Sequence, residues 1–117
     1  MTRINTGNGV ITISNNVYTT IAGIAATNCF GVKGMAIRSM KDGLVHLLRR
    51  EAIGKGVRVT SNDDNSISID LHIMVDHGIN ISAVADSIIS QVRYVVTKNT
   101  GTEVKAVNVL VDSIVLD

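Results

Sequence analysis

Proline is absent from this sequence, cysteine occurs once, and only 3% of the residues are aromatic. The single cysteine, Cys29, excludes a disulfide within the chain. The aromatic side chains are Tyr18, Phe30 and Tyr94, so the core must be built from aliphatic residues, alanine and methionine. Proteins that bind single-stranded nucleic acids stack the bases on aromatic rings. The shortage of such rings therefore argues against nucleic acid as the main partner.

Long apolar runs are also missing. No segment approaches the roughly 20 apolar residues that a membrane-spanning helix requires. Residues 1–9 are polar and lack the apolar segment of a secretory signal. We therefore expect a cytoplasmic protein without a transmembrane segment. The 117 residues, 45% of them hydrophobic, suit one domain that spans 1–117, with residues 1–8 as a loose lead-in.

The net charge is +1, but the basic residues are concentrated in the middle of the sequence. Segment 33–58 holds seven basic and two acidic residues, whereas the rest holds four basic and eight acidic ones. This imbalance has two interpretations, an ordinary solvated face or an electropositive docking surface for an acidic protein or for anionic lipid. The predicted members of the docking surface are Arg38, Lys41, Arg49, Arg50, Lys55 and Arg58.

The clearest pattern lies between residues 67 and 101. From Ile67 to Val75 every odd position is a large aliphatic residue, and this period of two is typical of a strand with one buried face. Apolar residues then recur at spacings of three and four, which predicts a helix that begins at a cap, Asn80 or Ser82, and ends near Gly101. The predicted inward stripe is Ile81, Val84, Ala85, Ile88, Val92 and Val95.

Weaker patterns predict the first half of the fold. A short strand at 10–14 precedes a helix capped by Asn15 or Asn16. Within this helix Gly23 favours a close approach by a neighbouring helix or by the sheet, since glycine costs about 1 kcal/mol against alanine there. The predicted inward stripe is Val17, Ile21, Ile24 and Ala25.

The remaining segments complete the predicted order. A short strand at 35–39 and a short amphipathic helix at 44–51 come next. A strand at 57–60 and the polar turn at 61–65 then form a hairpin with the strand from Ile67. The last strand lies within 103–117, and its alternation changes phase near Asp112 and Ser113, which indicates a bulge or a bend.

These elements predict an α+β fold. Their order is β-α-mixed segment-β-β-α-β, and the natural packing is a two-layer sandwich. We predict a mostly antiparallel sheet of about four strands, with two long helices on one face.

Several segments together resemble a known family. They are Ile21 to Ala26, Gly31 to Met35, Lys55 to Val57, Ile69 to Val75, Gly78 to Ile81, Thr100-Gly101 and Val107 to Val109. In this order and spacing they are similar to the alkaline shock proteins, the Gls-type envelope stress response proteins of Gram-positive bacteria. The resemblance covers roughly residues 7–116 of the sequence. Asn28-Cys29-Phe30 departs from it, because an acidic or aliphatic run is expected there.

The resemblance implies a cytoplasmic protein that is not an enzyme. Some members of this family lie under the cell membrane through a membrane-anchored partner, and others are encoded beside genes of lipid metabolism. The long charged tails of some members are missing here, which suggests a core-domain housekeeping member.

The histidines are the first candidates for chemistry. Asp70, His72 and Asp76 fall on one strand face, and a His/Asp pair can bind a metal or transfer a proton. His77 falls on the opposite face, so that only one imidazole joins the carboxylates. We therefore predict no catalytic, cofactor-binding or metal site, and interpret these residues as a polar strand face.

Two other motifs have a functional and a structural interpretation. Cys29 follows a helix C-terminus, which disfavours a thiolate, and we interpret it as a small buried apolar residue. Gly31-Val32-Lys33-Gly34 has the G-x-x-G form with which KH domains clamp a nucleic-acid backbone. Gly31, Lys33 and Gly34 are thus the site residues of an alternative interpretation, and a plain break after the helix is the structural one.

Two functional hypotheses follow. The first is a non-catalytic scaffold or adaptor of the envelope stress response that acts through protein partners, one of them membrane-anchored. The alternative is a KH-like RNA-binding or small regulatory protein linked to lipid metabolism. We also expect a homo-oligomer that uses the Val107–Leu116 strand, the Ile67–Val75 strand, or both. A monomer in which residues 35–53 cover the open face of the sheet is the competing arrangement.

Overall fold

The computed structural model describes residues 2–38 and 44–116, with Arg38 described by its backbone. The strands are β1 (Thr2–Thr6), β2 (Gly9–Ile13), β3 (Val32–Arg38), β4 (Val45–Leu47), β5 (Val57–Ser61), β6 (Ile67–Asp76) and β7 (Val104–Val115). The α-helices are α1 (Asn15–Thr27) and α2 (Ile81–Thr100), and a 3₁₀ helix spans Arg50–Gly56. The predicted α+β class is confirmed.

Strand β6 is the centre of a five-stranded sheet. On one side β7 runs parallel to it along its whole length. On the other side β5 pairs antiparallel with Ile67–Leu71, and β3 pairs antiparallel with Ile73–Val75. Strand β4 extends the sheet beyond β3. The mostly antiparallel prediction therefore omitted one parallel pair, which α2 makes possible because it carries the chain back to the start of β6.

The strand count was also too low. Strands β1 and β2 form a separate two-stranded antiparallel sheet in which Thr2 pairs with Ile13 and Thr6 with Gly9. Within residues 2–8 the predicted loose lead-in is thus a strand and a tight turn at Gly7-Asn8. Cross-strand backbone bonds order this segment, although its side chains show no strong hydropathy pattern.

The core lies between the helices and one face of β6. Ile67, Ile69, Leu71 and Ile73 are each 0% exposed, as the alternation predicted. Helix α2 buries Val84, Ile88, Val92 and Val96. The first three confirm the predicted stripe, whereas the predicted Ile81 is exposed and Val96 was missed.

The predicted stripe of α1 was only partly correct, because Ala25 is buried and Ile21 packs against the core but the other two members do not. The buried residues are Tyr18, Ala22, Gly23, Ala25 and Ala26, whereas Val17 and Ile24 are exposed. Small side chains permit this orientation, because the helix backbone can come close to its neighbours. A Cβ on Gly23 would overlap Ile53 Cγ2 of the 3₁₀ helix, which confirms the close approach predicted for this glycine.

The predicted helix at 44–51 is another error. Residues 45–47 form β4 instead, with Leu47 opposite Ala36 and Val45 opposite Arg38. Helical spacing of leucines is a weak signal over one or two turns, and pairing with an existing strand outweighs it. Leu44 and Leu47 are accordingly exposed, whereas Leu48 packs against the core.

The residues that cap the helix ends were predicted in part. The Asn80 side chain accepts a hydrogen bond from the Ala83 N–H at 3.0 Å, which confirms it as the cap of α2. Gly101 ends α2 with φ +72°, a conformation that glycine adopts without strain. The cap of α1 is Ser14 and not Asn15 or Asn16, and the Ser14 side chain makes no capping bond.

Candidate functional site

The open face of the sheet carries the polar side chains of β6. Ser68, Asp70, His72 and Met74 are half-buried there, opposite the core. Asn108 Nδ2 of β7 donates to Asp70 Oδ1 at 2.9 Å, and His72 Nδ1 lies 3.0 Å from Asp112 Oδ2. Asp70 and His72 therefore each have a partner on β7.

A bulge in β7 places Asp112 beside His72. Ile73 pairs with Val111 and Met74 with Ser113, so that Asp112 is the extra residue. The predicted phase change near Asp112 is thus confirmed as a bulge. Sequence reasoning missed Asp112 as the partner of His72, although this phase change was the available signal.

The His72–Asp112 pair borders a cavity of about 290 Å³ that Ala36, Ile37 and Lys55 also line. One imidazole and one carboxylate can share a proton or bind a polar group. Among residues 2–38 and 44–116, no cluster of three or more His, Cys, Asp or Glu side chains has the arrangement of a metal site.

The basic residues of segment 33–58 are spread over several elements. Arg49 precedes the 3₁₀ helix, Arg50 starts it, Lys55 lies near its end, and Arg58 is on β5. All four are exposed. Arg38 ends β3, and Lys41 lies outside the described residues. A common electropositive surface remains a prediction, since Lys55 and Arg50 border different cavities.

The G-x-x-G motif begins at the turn after α1. Gly31 has φ +86°, and a Cβ there would lie 3.1 Å from side-chain atoms of Ile79 and Val84. Lys33 and Gly34 belong to β3. Lys33 is exposed, and it borders the same cavity as Arg50.

Two titratable groups are perturbed. Partial burial raises the pKa of the Cys29 thiol, whose Sγ lies 3.4 Å from the Ala25 carbonyl oxygen. This favours the thiol over the reactive thiolate, in line with the structural interpretation. In the β5–β6 turn, hydrogen bonds from the Ser66 hydroxyl and N–H lower the pKa of Asp64.

Two exposed apolar side chains at one end of the sheet were missed by the sequence reasoning. Phe30 is 84% exposed and borders a cavity of about 430 Å³ with Ile79 and Val84. Leu116 is 83% exposed and follows Val115, which pairs with Asp76 at the end of β6. The signal was Phe30 itself, which stands where the family resemblance predicted an acidic or aliphatic run.

Two relatives cover nearly the whole chain. The uncharacterized protein YloU of Bacillus subtilis (strain 168) is 40% identical over 107 residues, which are 91% of this chain and 88% of that protein. The uncharacterized protein Spy1614 of Streptococcus pyogenes serotype M6 is 40% identical over 113 residues, which are 96% of this chain and 93% of that protein.

A solved structure, MamM CTD H264E, shares the fold with a TM-score of 0.50. The match covers 85% of this chain and 94% of that one, and at 17% identity it concerns the fold alone. The profile of the alkaline shock protein 23 family, described as having a cell envelope-related function, matches residues 3–116. This match confirms the predicted resemblance, and the chain belongs to the alkaline shock protein 23 family.

Proposed function

We propose that this protein is a non-catalytic adaptor of the cell-envelope stress response, which assembles with itself and with protein partners on the cytoplasmic side of the membrane. The cell envelope-related description of its family supports the setting. Neither α-helix in the described part of the chain is long and apolar enough to span a membrane. The proposed partner is membrane-anchored, and the exposed Arg49, Lys55 and Arg58 offer contacts to acidic groups on it.

The observation that carries the proposal is the edge position of β7. This strand has 12 residues, and β6 is the only strand within residues 2–38 and 44–116 that pairs with it. Its outer backbone N–H and C=O groups are thus open to another strand, which is the standard route to sheet extension between chains. Strand β6 has partners on both sides, so that the predicted use of Ile67–Val75 is restricted to its open face.

Exposed apolar side chains accompany this edge. Leu110, Ile114 and Leu116 are exposed on or next to β7. The described residues of the segment 35–53 do not pair with β7, since β4 pairs with β3 and the 3₁₀ helix packs on α1. A second copy that pairs along β7 would bury both the backbone groups and these side chains.

Light scattering at protein concentrations up to tens of micromolar tests this assembly. The wild-type chain should form species larger than the 12.5 kDa protomer. Ile114→Lys should dissociate them, because a charge on an edge strand opposes pairing. The control is Ile11→Lys on β2, since Ile114 and Ile11 are 43% and 50% exposed.

A 12.5 kDa wild-type species over the whole range would refute assembly. Equal dissociation by both substitutions would show that β7 has no special role. RNA binding through a free G-x-x-G loop gains no support from the geometry, because Lys33 and Gly34 belong to β3.

A further inference from the structure

We propose that Lys33 and Arg50 form a binding site for the phosphate group of a small phosphorylated molecule. Both border a cavity of about 360 Å³ between the end of α1, the start of β3 and the 3₁₀ helix. The proposal concerns ligand binding and is independent of the proposed assembly, which uses β7.

The fold brings these two cations together from distant positions in the sequence. Leu47 pairs with Ala36, and the Leu48 N–H donates to the Met35 carbonyl at 2.8 Å. These bonds hold the end of β4 and Leu48 against the middle of β3, two to three residues from Lys33. At Gly34 a Cβ would lie 2.8 Å from Leu47 Cδ1, so that glycine permits this close approach beside the cavity.

The charges at this cavity are unbalanced. Among the described residues that line it, Lys33 and Arg50 are charged and none carries a carboxylate. Within the described residues, the ion pairs are His72–Asp112 and Lys105–Asp64, so that neither cation has an acidic partner there. Two like charges beside one cavity favour an anion that interacts with both.

The C-terminus of α1 does not account for these cations. A basic side chain near a helix C-terminus often bonds to the last free carbonyl groups. Here the Ile24 carbonyl accepts from the Asn28 N–H, and the Ala26 carbonyl accepts from the Cys29 N–H. The cysteine Sγ also lies 3.4 Å from the Ala25 carbonyl oxygen. The end of the helix is thus capped by its own turn.

The walls of the cavity indicate the class of ligand. The guanidinium of Arg50 can form two parallel hydrogen bonds to a phosphate, and the Lys33 ammonium adds a point charge. Ile24, Leu48 and Ile53 add apolar contacts to a lining that is mostly polar. Since a water molecule occupies about 30 Å³ in the liquid, the cavity has room for more than an inorganic phosphate. A phosphate ester with a small carbon part fits this combination.

The test is an NMR titration of the full ¹⁵N-labelled chain with glycerol 3-phosphate. The amides of Asn28, Lys33 and Gly34 should shift and saturate. The double variant K33Q/R50Q should bind at least about tenfold more weakly, because charge-assisted hydrogen bonds to phosphate are lost. R50K should weaken binding less, since it keeps the charge and loses the paired geometry.

The matched control is R93Q/K98Q on α2, which removes the same two positive charges. It should leave the affinity unchanged. A second arm with vesicles of phosphatidylglycerol, compared with phosphatidylcholine, shows whether a lipid headgroup supplies the phosphate ester. The site is supported if, in either arm, the wild-type chain and R93Q/K98Q bind the ligand and K33Q/R50Q does not.

Two results would overturn the proposal. One is the absence of saturable shifts in both arms up to millimolar ligand. The other is equal weakening by the two double variants, which would indicate general charge attraction. The ¹⁵N spectrum of each variant reports its folding, and R50K decides the question if K33Q/R50Q does not fold.

Discussion

At the scale of single residues, one buried hydroxyl pair joins the first helix to the last strand region. Tyr18 is fully buried in α1, and its hydroxyl lies 2.6 Å from Thr102 Oγ1, which is buried just before β7. A buried hydroxyl is costly unless it has a hydrogen-bond partner, and each of these two groups satisfies the other. The pair therefore specifies how α1 packs on the end of α2.

The two single substitutions should together lower the free energy of unfolding by more than the double substitution does. Tyr18→Phe leaves the Thr102 hydroxyl buried without this partner and should lower the free energy of unfolding by about 1–3 kcal/mol. Thr102→Val should have a similar effect. In the double variant the loss should be smaller than the sum by about 1 kcal/mol, measured by urea unfolding.

The exposed Tyr94 provides the control for this cycle. Tyr94→Phe should change the free energy of unfolding by less than about 0.5 kcal/mol. Strict additivity of the Tyr18 and Thr102 substitutions would show that the two hydroxyls are not coupled.

The contacts of some of these residues were predictable from the sequence, and those of others were not. His72 was identifiable as a member of the polar face of an alternating strand, and the phase change indicated a bulge near Asp112. Their contact depends on the parallel register of β6 with β7, which no local pattern encodes. Lys33 and Arg50 were both recognised as basic, but only the β3–β4 pairing places them at one cavity.

At the scale of elements, the two α-helices begin in different ways. The Asn80 side chain bonds to the backbone of the first turn of α2, whereas the Ser14 side chain makes no such bond at α1. The two residues are both common caps, so that their sequence chemistry does not distinguish them.

Alanine substitutions at the two caps should therefore differ. Asn80→Ala should lower the free energy of unfolding by about 1 kcal/mol, because an N–H of α2 loses its acceptor. Ser14→Ala should cost clearly less. Chemical denaturation at neutral pH measures both, and equal losses would contradict the assigned capping geometry.

Elements with a long and regular pattern were predicted well. The alternation of β6 and the stripe of α2 reflect burial against the same core, so that local sequence and tertiary structure agree. Short elements were predicted poorly. Within the segment 44–51, β4 pairs with β3. Helix α1 is oriented by small residues and by a polar contact of Tyr18, and such contacts produce no helical period of hydropathy.

At the scale of the whole molecule, the two sheets differ in how they are buried. In the β1–β2 hairpin most residues are exposed, whereas alternate residues of β6 are fully buried. Local opening of an exposed hairpin requires little loss of apolar contact.

Hydrogen exchange should distinguish the β1–β2 hairpin from strand β6. Amides paired between β1 and β2 should exchange through local opening, well before those of β6, which should require global unfolding. Native-state exchange monitored by NMR measures both sets in one sample. Equal protection in the hairpin and in β6 would show that the hairpin opens only with the entire fold.

The central position of β6 also has a consequence for synthesis on the ribosome. Strands β3 and β5 precede β6 in the chain, whereas β7 follows it after the whole of α2. A nascent chain that has emerged only as far as β6 can pair one edge of that strand. The other edge still lacks β7, and the face with Ile67, Ile69 and Ile73 still lacks α2, until these elements leave the ribosome. An unpaired apolar strand of this kind is a template for association between neighbouring nascent chains. The delay before α2 and β7 emerge thus sets how long the apolar face of β6 is exposed to polysome neighbours and to chaperones.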